Sequence, residues 1–543
     1  MMGKVLIKIL IGLLALLVLL KIITMVWIEP WVGKKIENSF NDGSKIYSVE
    51  IGGVDISILD RGITLKNIEV FSRAKESDNH LTIGLSSIRL SGINLGSLFR
   101  KDLDIREISV SRCNARGNIS SAKELKPPTI LPSNIRIGTM RIEEINLEVG
   151  DSGGVRTLVL KQGKLKAYDL QINKGDTLTN GILKEFDFEV EEMVSKTAVG
   201  MYSFKGTDIN YSTSSKALTL KKISVLPNYT GYDFTSRFEF ETDCIEVECS
   251  HITFLDFSAS AYASSNILTC SYIEIGEMDM NVFRDKRKAF RHRSRPTFQQ
   301  IIYNYPGMIS IDSIGIESGK VYYKEHAEEA NAAGHISFEE IKARIYNISN
   351  DTLYKTEKSF LELRSEALVM GRGKLNIYLK TRLFDARNTF TVQGTMTGMD
   401  ASALNPIMEN NGFVYATAGR MEKMNFSFVA DNNKADGNMT MLYSGLDVAV
   451  KNKRTDDTTS LKERVISIIA NRIILNSNPV PGEAVREGII ECESDPEKFL
   501  FNYCYKAILS GIKSSVSREA GKAAKGNKKQ NRLDRKSRRE DGI

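Results

Sequence analysis

Four successive segments within residues 374–450 alternate between apolar and polar side chains, and this pattern most constrains the fold. Because successive side chains of a β-strand point to opposite faces, a period of two collects the apolar residues on one face. The pattern predicts four antiparallel strands in a row, with polar turns at Asp385–Asn388 and Asp431–Gly437. The opposite face carries Thr, Asn, Ser and Lys, which suit water.

The apolar face of these four strands is the candidate functional site. It comprises Leu375, Ile377, Leu379, Phe390, Val392, Met396, Met424, Phe426, Phe428, Met439 and Met441. The sequence shows no helix large enough to cover this face. What occupies the face therefore decides the function.

Residues Val5–Ile28 form an apolar run long enough for a transmembrane helix, which needs about 20 mostly apolar residues. A cleaved signal peptide is the alternative, but no small-x-small cleavage site follows the run. We therefore predict a retained anchor at residues 1–28. Lys4 and Lys8 favour a cytoplasmic N-terminus, which places the bulk of the chain across the membrane.

The positive charge lies at the two ends of the chain. Residues 1–28 and 517–543 contribute +3 and +6 to the net charge of +7, so residues 29–516 carry −2. A nucleic-acid-binding domain would show a basic face within its folded part, so we predict no nucleic-acid partner. The lysine- and arginine-rich tail, residues 517–543, is predicted to be disordered.

Residues 29–283 are predicted to open with a short helix and continue as β-structure. A loose motif, apolar-x-x-apolar-x-apolar, recurs there at nearly constant spacing and indicates repeated strand–turn–strand units. The five copies are Leu65/Ile68/Val70, Ile105/Ile108/Val110, Ile142/Ile145/Leu147, Leu183/Phe186/Phe188 and Leu220/Ile223/Val225, and a further copy, Leu85/Ile88/Leu90, falls halfway between the first two. Residues Ser121–Asn134, with three prolines, are predicted to form a loop or linker.

A basic linker, residues 284–298, is predicted to separate this half from a second β half, residues 299–516. Residues 284–295 hold seven Lys/Arg, which either remain solvated or contact lipid headgroups or an acidic partner. The second half is predicted to end in capping helices, the last of them beginning at Asp495-Pro496-Glu497. Strands stacked across a sheet advance about 4.8 Å each, so some 30 to 40 strands would extend about 150–190 Å.

The sequence contains no recognisable catalytic or metal-binding motif. Its five histidines are scattered singly, and its six cysteines match no Cys-x-x-Cys site. Nucleophile-elbow, phosphate-loop and dinucleotide-binding fingerprints are also missing. We therefore predict a non-enzymatic protein without a cofactor or metal. For the cysteines, buried free thiols are favoured over cross-strand disulfides.

Several stretches, in their order along the chain, resemble the AsmA-like family of bacterial inner-membrane-anchored envelope proteins. They are YSVEIGGVDISILDRGITLKNIEV, SIDSIGIESGKVYYKE, GHISFEEIKARIYNISN, GTMTGMDASALNP, GNMTMLYSGLDVAVK and NYCYKAILSGIKSSV. The resemblance covers nearly all of residues 1–516. It implies a mainly β fold with an elongated, curved antiparallel β-groove, related to TamB-like and chorein-like lipid-transfer bridges. The family offers no catalytic motif, and the basic tail has no counterpart in its pattern.

The resulting hypothesis is a protein tethered to the inner membrane, with its bulk in the periplasm. Its apolar face would carry or shield phospholipid acyl chains, with membrane phospholipids as partners. The alternative is a structural scaffold that assists outer-membrane protein assembly or envelope integrity, with envelope assembly proteins as partners. An apolar face packed against lipid and one packed against protein have the same sequence pattern, so both alternatives stay open.

Overall fold

The computed structural model describes residues 21–44, 47–73, 80–94, 97, 102–118, 134–150, 157–173, 185–197, 200–352, 360–451 and 474–518. Within these ranges the chain is mainly β, with one mostly antiparallel sheet of 19 strands. The prediction of a mainly β fold is confirmed. The described ranges hold fewer strands than the 30 to 40 expected, because many strands are long and some run to 19 residues.

The strands are β1 (Tyr47–Ser57), β2 (Gly62–Ser72), β3 (His80–Ile93), β4 (Asp102–Asn118), β5 (Asn134–Gly150), β6 (Thr157–Asn173), β7 (Glu185–Lys196), β8 (Tyr202–Ser212), β9 (Ala217–Pro227), β10 (Asp243–Leu255), β11 (Ile267–Asp285), β12 (Met308–His326), β13 (Gly334–Ser349), β14 (Phe360–Val369), β15 (Gly373–Arg382), β16 (Phe390–Asp400), β17 (Val414–Ala430), β18 (Lys434–Val450) and β19 (Glu487–Glu493).

The helices are α1 (Glu29–Gly43), α2 (Gly231–Ser236), α3 (Ala259–Ser265), α4 (Phe298–Tyr303), α5 (Asn405–Ile407) and α6 (Leu500–Val516). A π-helical turn, Thr24–Ile28, precedes α1. No helix within the described ranges is long and apolar enough to cross a membrane. Most of the predicted span falls in residues 1–20, which lie outside those ranges.

The chain divides into two compact units, one formed by residues 1–224 and 256–265 and the other by residues 225–255 and 266–543. In the first unit, β1 to β8 pair in chain order, and only β4 and β5 are parallel among them. In the second unit, β10 to β19 pair in chain order, and only β11 and β12 are parallel. The predicted basic linker, residues 284–298, lies inside this second unit.

Both segments that the sequence marked as linkers fall between the strands of a parallel pair. Residues Ser121–Asn134 belong to the connection from β4 to β5, and all of them except Asn134 lie outside the described ranges. Residues 286–307, which include most of the basic run and α4, connect β11 to β12. A parallel pair needs a connection that returns the chain to the same end of the sheet, and a two-residue hairpin turn cannot do this.

In three copies of the irregular sequence motif of the first unit, a residue between the first two apolar positions has a positive φ angle, and at one of them, Glu144, the strand contains a β-bulge. Asn67 in Leu65/Ile68/Val70 and Glu144 in Ile142/Ile145/Leu147 have positive φ angles of 50° and 54°, and Lys222 in the last copy has a φ of 46°. One extra residue in a strand lets side chains three positions apart return to the same face. At Glu144 the pairing with β6 shifts between Ile142 and Ile145, as a bulge requires.

Helices cover the outer edges of the first and last strands. In the first unit, the Asn41 side chain of α1 accepts from the backbone N–H of Val49 (2.8 Å) and donates to its carbonyl (3.0 Å). In the second unit, the Ser514 hydroxyl of α6 accepts from the N–H of Ile489 (2.9 Å), and that of Ser510 accepts from the N–H of Glu491 (3.1 Å). These bonds occupy backbone groups that an open sheet edge would leave free for another chain.

The predicted capping helix at the C-terminal end is therefore present, but it begins later than predicted. Asp495 caps a turn by accepting from the N–H of Glu497 (3.1 Å), and α6 starts only at Leu500. The four strands predicted within residues 374–450 are β15 to β18. Their turns lie where the sequence placed them, with backbone bonds from Asn388 N to Asp385 O (2.9 Å) and from Asp431 N to Lys434 O (3.0 Å).

Candidate functional site

All eleven predicted lining residues lie on one face of the second unit's sheet. The registers place them in four neighbouring rows that run across the strands, one residue per strand. Leu375, Met396, Met424 and Met441 share one row, and Phe390 lies in the outermost row beside Ala430 and Ala435. The period-two reading of β15 to β18 therefore assigned these side chains to the correct common face.

Two of these rows continue far beyond the four strands. The first row is Phe254–Ile273–Ile314–Ile345–Leu363–Leu379–Val392–Phe428. The second row is Ile252–Ile275–Ile316–Ala343–Ser365–Ile377–Gly394–Phe426–Met439. Neither row contains a charged side chain. Together they form a continuous apolar band from β10 to β18, which we call the apolar band.

The burial of the apolar band changes along its length. On β16 to β18 it is buried, with Val392 2% exposed, Phe426 4% and Met439 0%. On β10 to β15 most of its members are half-buried, including Ile314, Ile345, Leu363 and Ile377. The predicted lining residues follow the same division. Nine of the eleven are buried, and Leu375 and Ile377 are half-buried.

Helix α6 accounts for the buried end. Its Tyr503 ring lies 5.8 Å from that of Phe390, and Tyr503 and Ala507 belong to the same buried cluster as the lining residues. The expectation that no helix covers this face is therefore wrong for β16 to β19. The stripe of Tyr503, Ala507 and Gly511 is visible in the sequence, but the strands it covers are set by contacts between residues far apart in the chain.

Small residues allow α6 to approach the sheet closely. A Cβ on Gly511 would lie 2.8 Å from Ile490 Cγ1 and 2.9 Å from Met439 Cε, so no larger residue fits there without movement. A Cβ on Gly488 of β19 would lie 2.6 Å from the Gly511 carbonyl oxygen. This close packing seals one end of the apolar band with protein.

The other side of α6 presents aromatic residues that are not buried. Phe501 is 65% exposed and Tyr505 52% exposed, and they are one helical turn apart. The Phe501 ring lies 6.5 Å from that of Phe338, which packs against the same cluster as Leu363, Leu375 and Ile377. Phe501 thus places an exposed aromatic ring beside Phe338 of β13.

The ionisable groups at the buried end favour their neutral forms. Burial raises the pKa of the Cys504 thiol to about 12 and that of the Tyr443 hydroxyl to about 12. All six cysteines lie within the described ranges, and none of them forms a disulfide. Across those ranges, no group of three or more His, Cys, Asp or Glu is arranged to hold a metal ion. The site therefore offers apolar contact rather than charge.

The first part of the basic run is paired within the second unit. Arg284 binds Asp243 through two bonds of 2.6 Å, Lys286 contacts Glu325 at 2.7 Å and Arg287 contacts Asp285 at 2.8 Å. Farther along, Arg291 and Arg293 are exposed. Contact of this run with lipid headgroups or an acidic partner stays a prediction.

Comparison of the sequence with protein families and with curated proteins identifies no homologue. No family model matches the sequence, and no curated protein is significantly similar to it. The resemblance to the AsmA-like family therefore stays a prediction that rests on the quoted stretches.

Proposed function

We propose that this protein is a non-enzymatic carrier that holds phospholipid acyl chains on the apolar band. The observation that carries the proposal is the band itself: apolar residues continue in register from β10 to β15 and remain half-buried there. A large apolar surface that is open to solvent marks an interaction site more often than a structural surface.

The dimensions of the half-buried part suit an acyl chain. Neighbouring strands are about 4.8 Å apart, so the five steps from β10 to β15 extend about 24 Å across the sheet. One leaflet of a bilayer has a hydrocarbon thickness of about 15 Å, half of the usual 30 Å. An extended acyl chain therefore fits along the band, and each buried CH₂ group stabilises the complex by about 0.8 kcal/mol.

Helix α6 limits how far a chain can move along the band. Beyond β15 the same rows are buried, in a cluster that includes Tyr503 and Ala507 of α6. In this proposal the acyl chain lies on β10 to β15 and stops at α6. We also propose that residues 1–28 are a retained membrane anchor, that the bulk of the protein lies in the periplasm, and that the protein is related to AsmA-like envelope proteins.

Photo-crosslinking in the intact, membrane-bound protein tests this function. Benzoylphenylalanine at Leu363 or Ile377, within the half-buried part, is expected to capture phospholipid. The matched controls are Arg364, which directly follows Leu363, and Asn376, which directly precedes Ile377. Both point to the opposite face. Capture of phospholipid only at the apolar positions supports the carrier. If all four folded variants capture no lipid, or all capture it equally, the scaffold for outer-membrane protein assembly becomes the better explanation.

A further inference from the structure

The polar face of the second unit's sheet contains a cleft of about 910 Å³. Its lining takes Ile316 and Glu317 of β12 and three consecutive residues from each of five further strands, at 342–344, 364–366, 376–378, 393–395 and 425–427. In each triplet the two outer residues point away from the apolar band, and the middle residue belongs to the second row of the band. The next residues on the apolar face, such as Leu375 and Leu379, do not line the cleft. The cleft therefore lies on the face opposite α6.

Neutral hydrogen-bonding side chains form two registered rows in this cleft. One row is Asn376–Thr395–Asn425, and the other is Tyr378–Gln393–Ser427. Only a 3.3 Å bond from Asn376 Nδ2 to Thr395 Oγ1 links members of the first row. The side chains of Gln393, Asn425 and Ser427 make no hydrogen bond to any other residue that the structure describes, so their donors and acceptors are free for a ligand.

The charged side chains beside the cleft are largely neutralised by neighbours. Arg344 contacts Glu317 at 2.9 Å, and Arg364 contacts Glu362 at 3.3 Å. Lys374 contacts Glu366 at 3.2 Å. A polyanion such as nucleic acid needs an uncompensated basic surface, which these pairs do not provide.

Aromatic and guanidinium planes add flat stacking surfaces at one side of the cleft. The Arg364 guanidinium lies 5.5 Å from the centre of the Tyr378 ring and 6.0 Å from that of Tyr346. These contacts hold the arginine close to two rings that are half-buried. The cleft thus combines free amides and hydroxyls with flat surfaces of low net charge.

We propose that this cleft binds an oligosaccharide whose chain runs across the strands. Sugar hydroxyls both donate and accept, as the free amides of Gln393 and Asn425 do, and the C–H face of a sugar ring can pack on Tyr378. Strands about 4.8 Å apart repeat these groups at a regular interval, which suits a polymer of similar units. An extended peptide would instead use its backbone to pair with a strand edge.

Calorimetric titration of the full-length protein in detergent with chitohexaose and with cellohexaose tests the proposal. We expect at least one probe to bind, and the double variant Gln393→Ala/Asn425→Ala to bind it at least tenfold more weakly. The control double variant Thr397→Ala/Lys423→Ala changes a registered pair on the same face but outside the cleft lining, and is expected to bind as the wild type does.

Three outcomes would overturn the proposal. They are absence of binding by both probes, equal affinity of the wild type and the Gln393/Asn425 variant, and equally tight binding of a soluble hexapeptide of glycine and serine. The last outcome would assign the cleft to polypeptide. None of these substitutions touches the apolar band, so lipid capture at Leu363, which does not line the cleft, is measured on the same variants and reports on the proposed lipid function separately.

Discussion

The Phe426 ring lies over Gly394, its registered partner on the neighbouring strand. A Cβ built on Gly394 would overlap the ring carbons, so the aromatic side chain occupies the space that any other residue at this position would need. Phe426 is 4% exposed, although its cross-strand neighbour has no side chain to cover it. The pair shows that the buried end of the apolar band is packed to a specific shape.

Replacing Gly394 with alanine should destabilise the second unit. The added methyl group would displace the Phe426 ring within a packed cluster, and overpacking of this kind typically costs about 1–3 kcal/mol. Thermal denaturation followed by circular dichroism measures the loss. Gly84→Ala is the control, because a Cβ on that strand glycine would meet no atom within 4 Å. Equal melting temperatures for both variants would contradict the packing described here.

Lysine substitutions should affect folding differently in the two parts of the apolar band. Val392 is 2% exposed in the buried cluster that also contains Tyr503 of α6, so Val392→Lys would bury a charge and cost several kcal/mol, a large part of a domain's stability. Ile377 is half-buried, so the flexible stem of a lysine there can carry its charge to water. We expect Val392→Lys to be lost to proteolysis and Ile377→Lys to accumulate as folded protein.

The yield of soluble, protease-resistant protein measures this difference, and lipid extraction from the Ile377→Lys variant adds a functional readout. A charge on the half-buried part of the band should reduce the bound phospholipid several-fold. Asn376→Lys, on the opposite face, is the matched control and should retain the lipid. Folded Val392→Lys at wild-type yield would show that α6 does not seal this end.

Removing the hydroxyls of Ser510 and Ser514 should expose the edge of β19. The double variant to alanine leaves the backbone N–H groups of Ile489 and Glu491 without their α6 partners, and each lost bond costs roughly 1 kcal/mol. Hydrogen–deuterium exchange should accelerate at these two amides. Size-exclusion chromatography should show self-association through the open edge. Lys513→Ala, which changes an exposed residue of α6, should alter neither measurement.

The stability of the first unit should depend on the ionisation of Glu192. Hydrogen bonds from Lys161 and Lys205 lower the pKa of this carboxyl from 4.5 to about 2, so folding favours its charged form. The stabilisation is present above pH 4.5 and is lost as the pH falls through about 2. Because both lysines are about half exposed, solvent screening limits the contribution to roughly 0.5–1 kcal/mol.

Glu192→Gln should therefore lower the melting temperature at pH 7 by a few degrees or less and leave it unchanged near pH 2. Scanning calorimetry across this pH range measures the difference. Glu191→Gln is the control, because the Glu191 side chain is exposed on the other side of the same strand. A constant difference between Glu192→Gln and the wild type from pH 7 to pH 2 would contradict this assignment.

The sequence by itself determined the local features of this protein. Alternation with a period of two depends only on neighbouring residues, so it identified β15 to β18, their turns and the common face of Leu375, Val392 and Phe426. The apolar spacing of three between Ile142 and Ile145 coincides with the bulge at Glu144, where one extra residue changes the alternation, although from the sequence this spacing indicated only a repeated unit. Proline and charge runs marked both segments that connect parallel strands.

Only the tertiary structure decided which parts of that face are buried. Strand pairing extends the apolar rows back to β10, more than 100 residues before β15, and α6 adds Tyr503, more than 100 residues after Val392, to the cluster in which Val392 is buried. Neither contact can be predicted from the alternation of β16, because an apolar side chain packs equally well against protein and against lipid. The division between a sealed end at α6 and a half-buried stretch on β10 to β15 therefore arises from long-range packing.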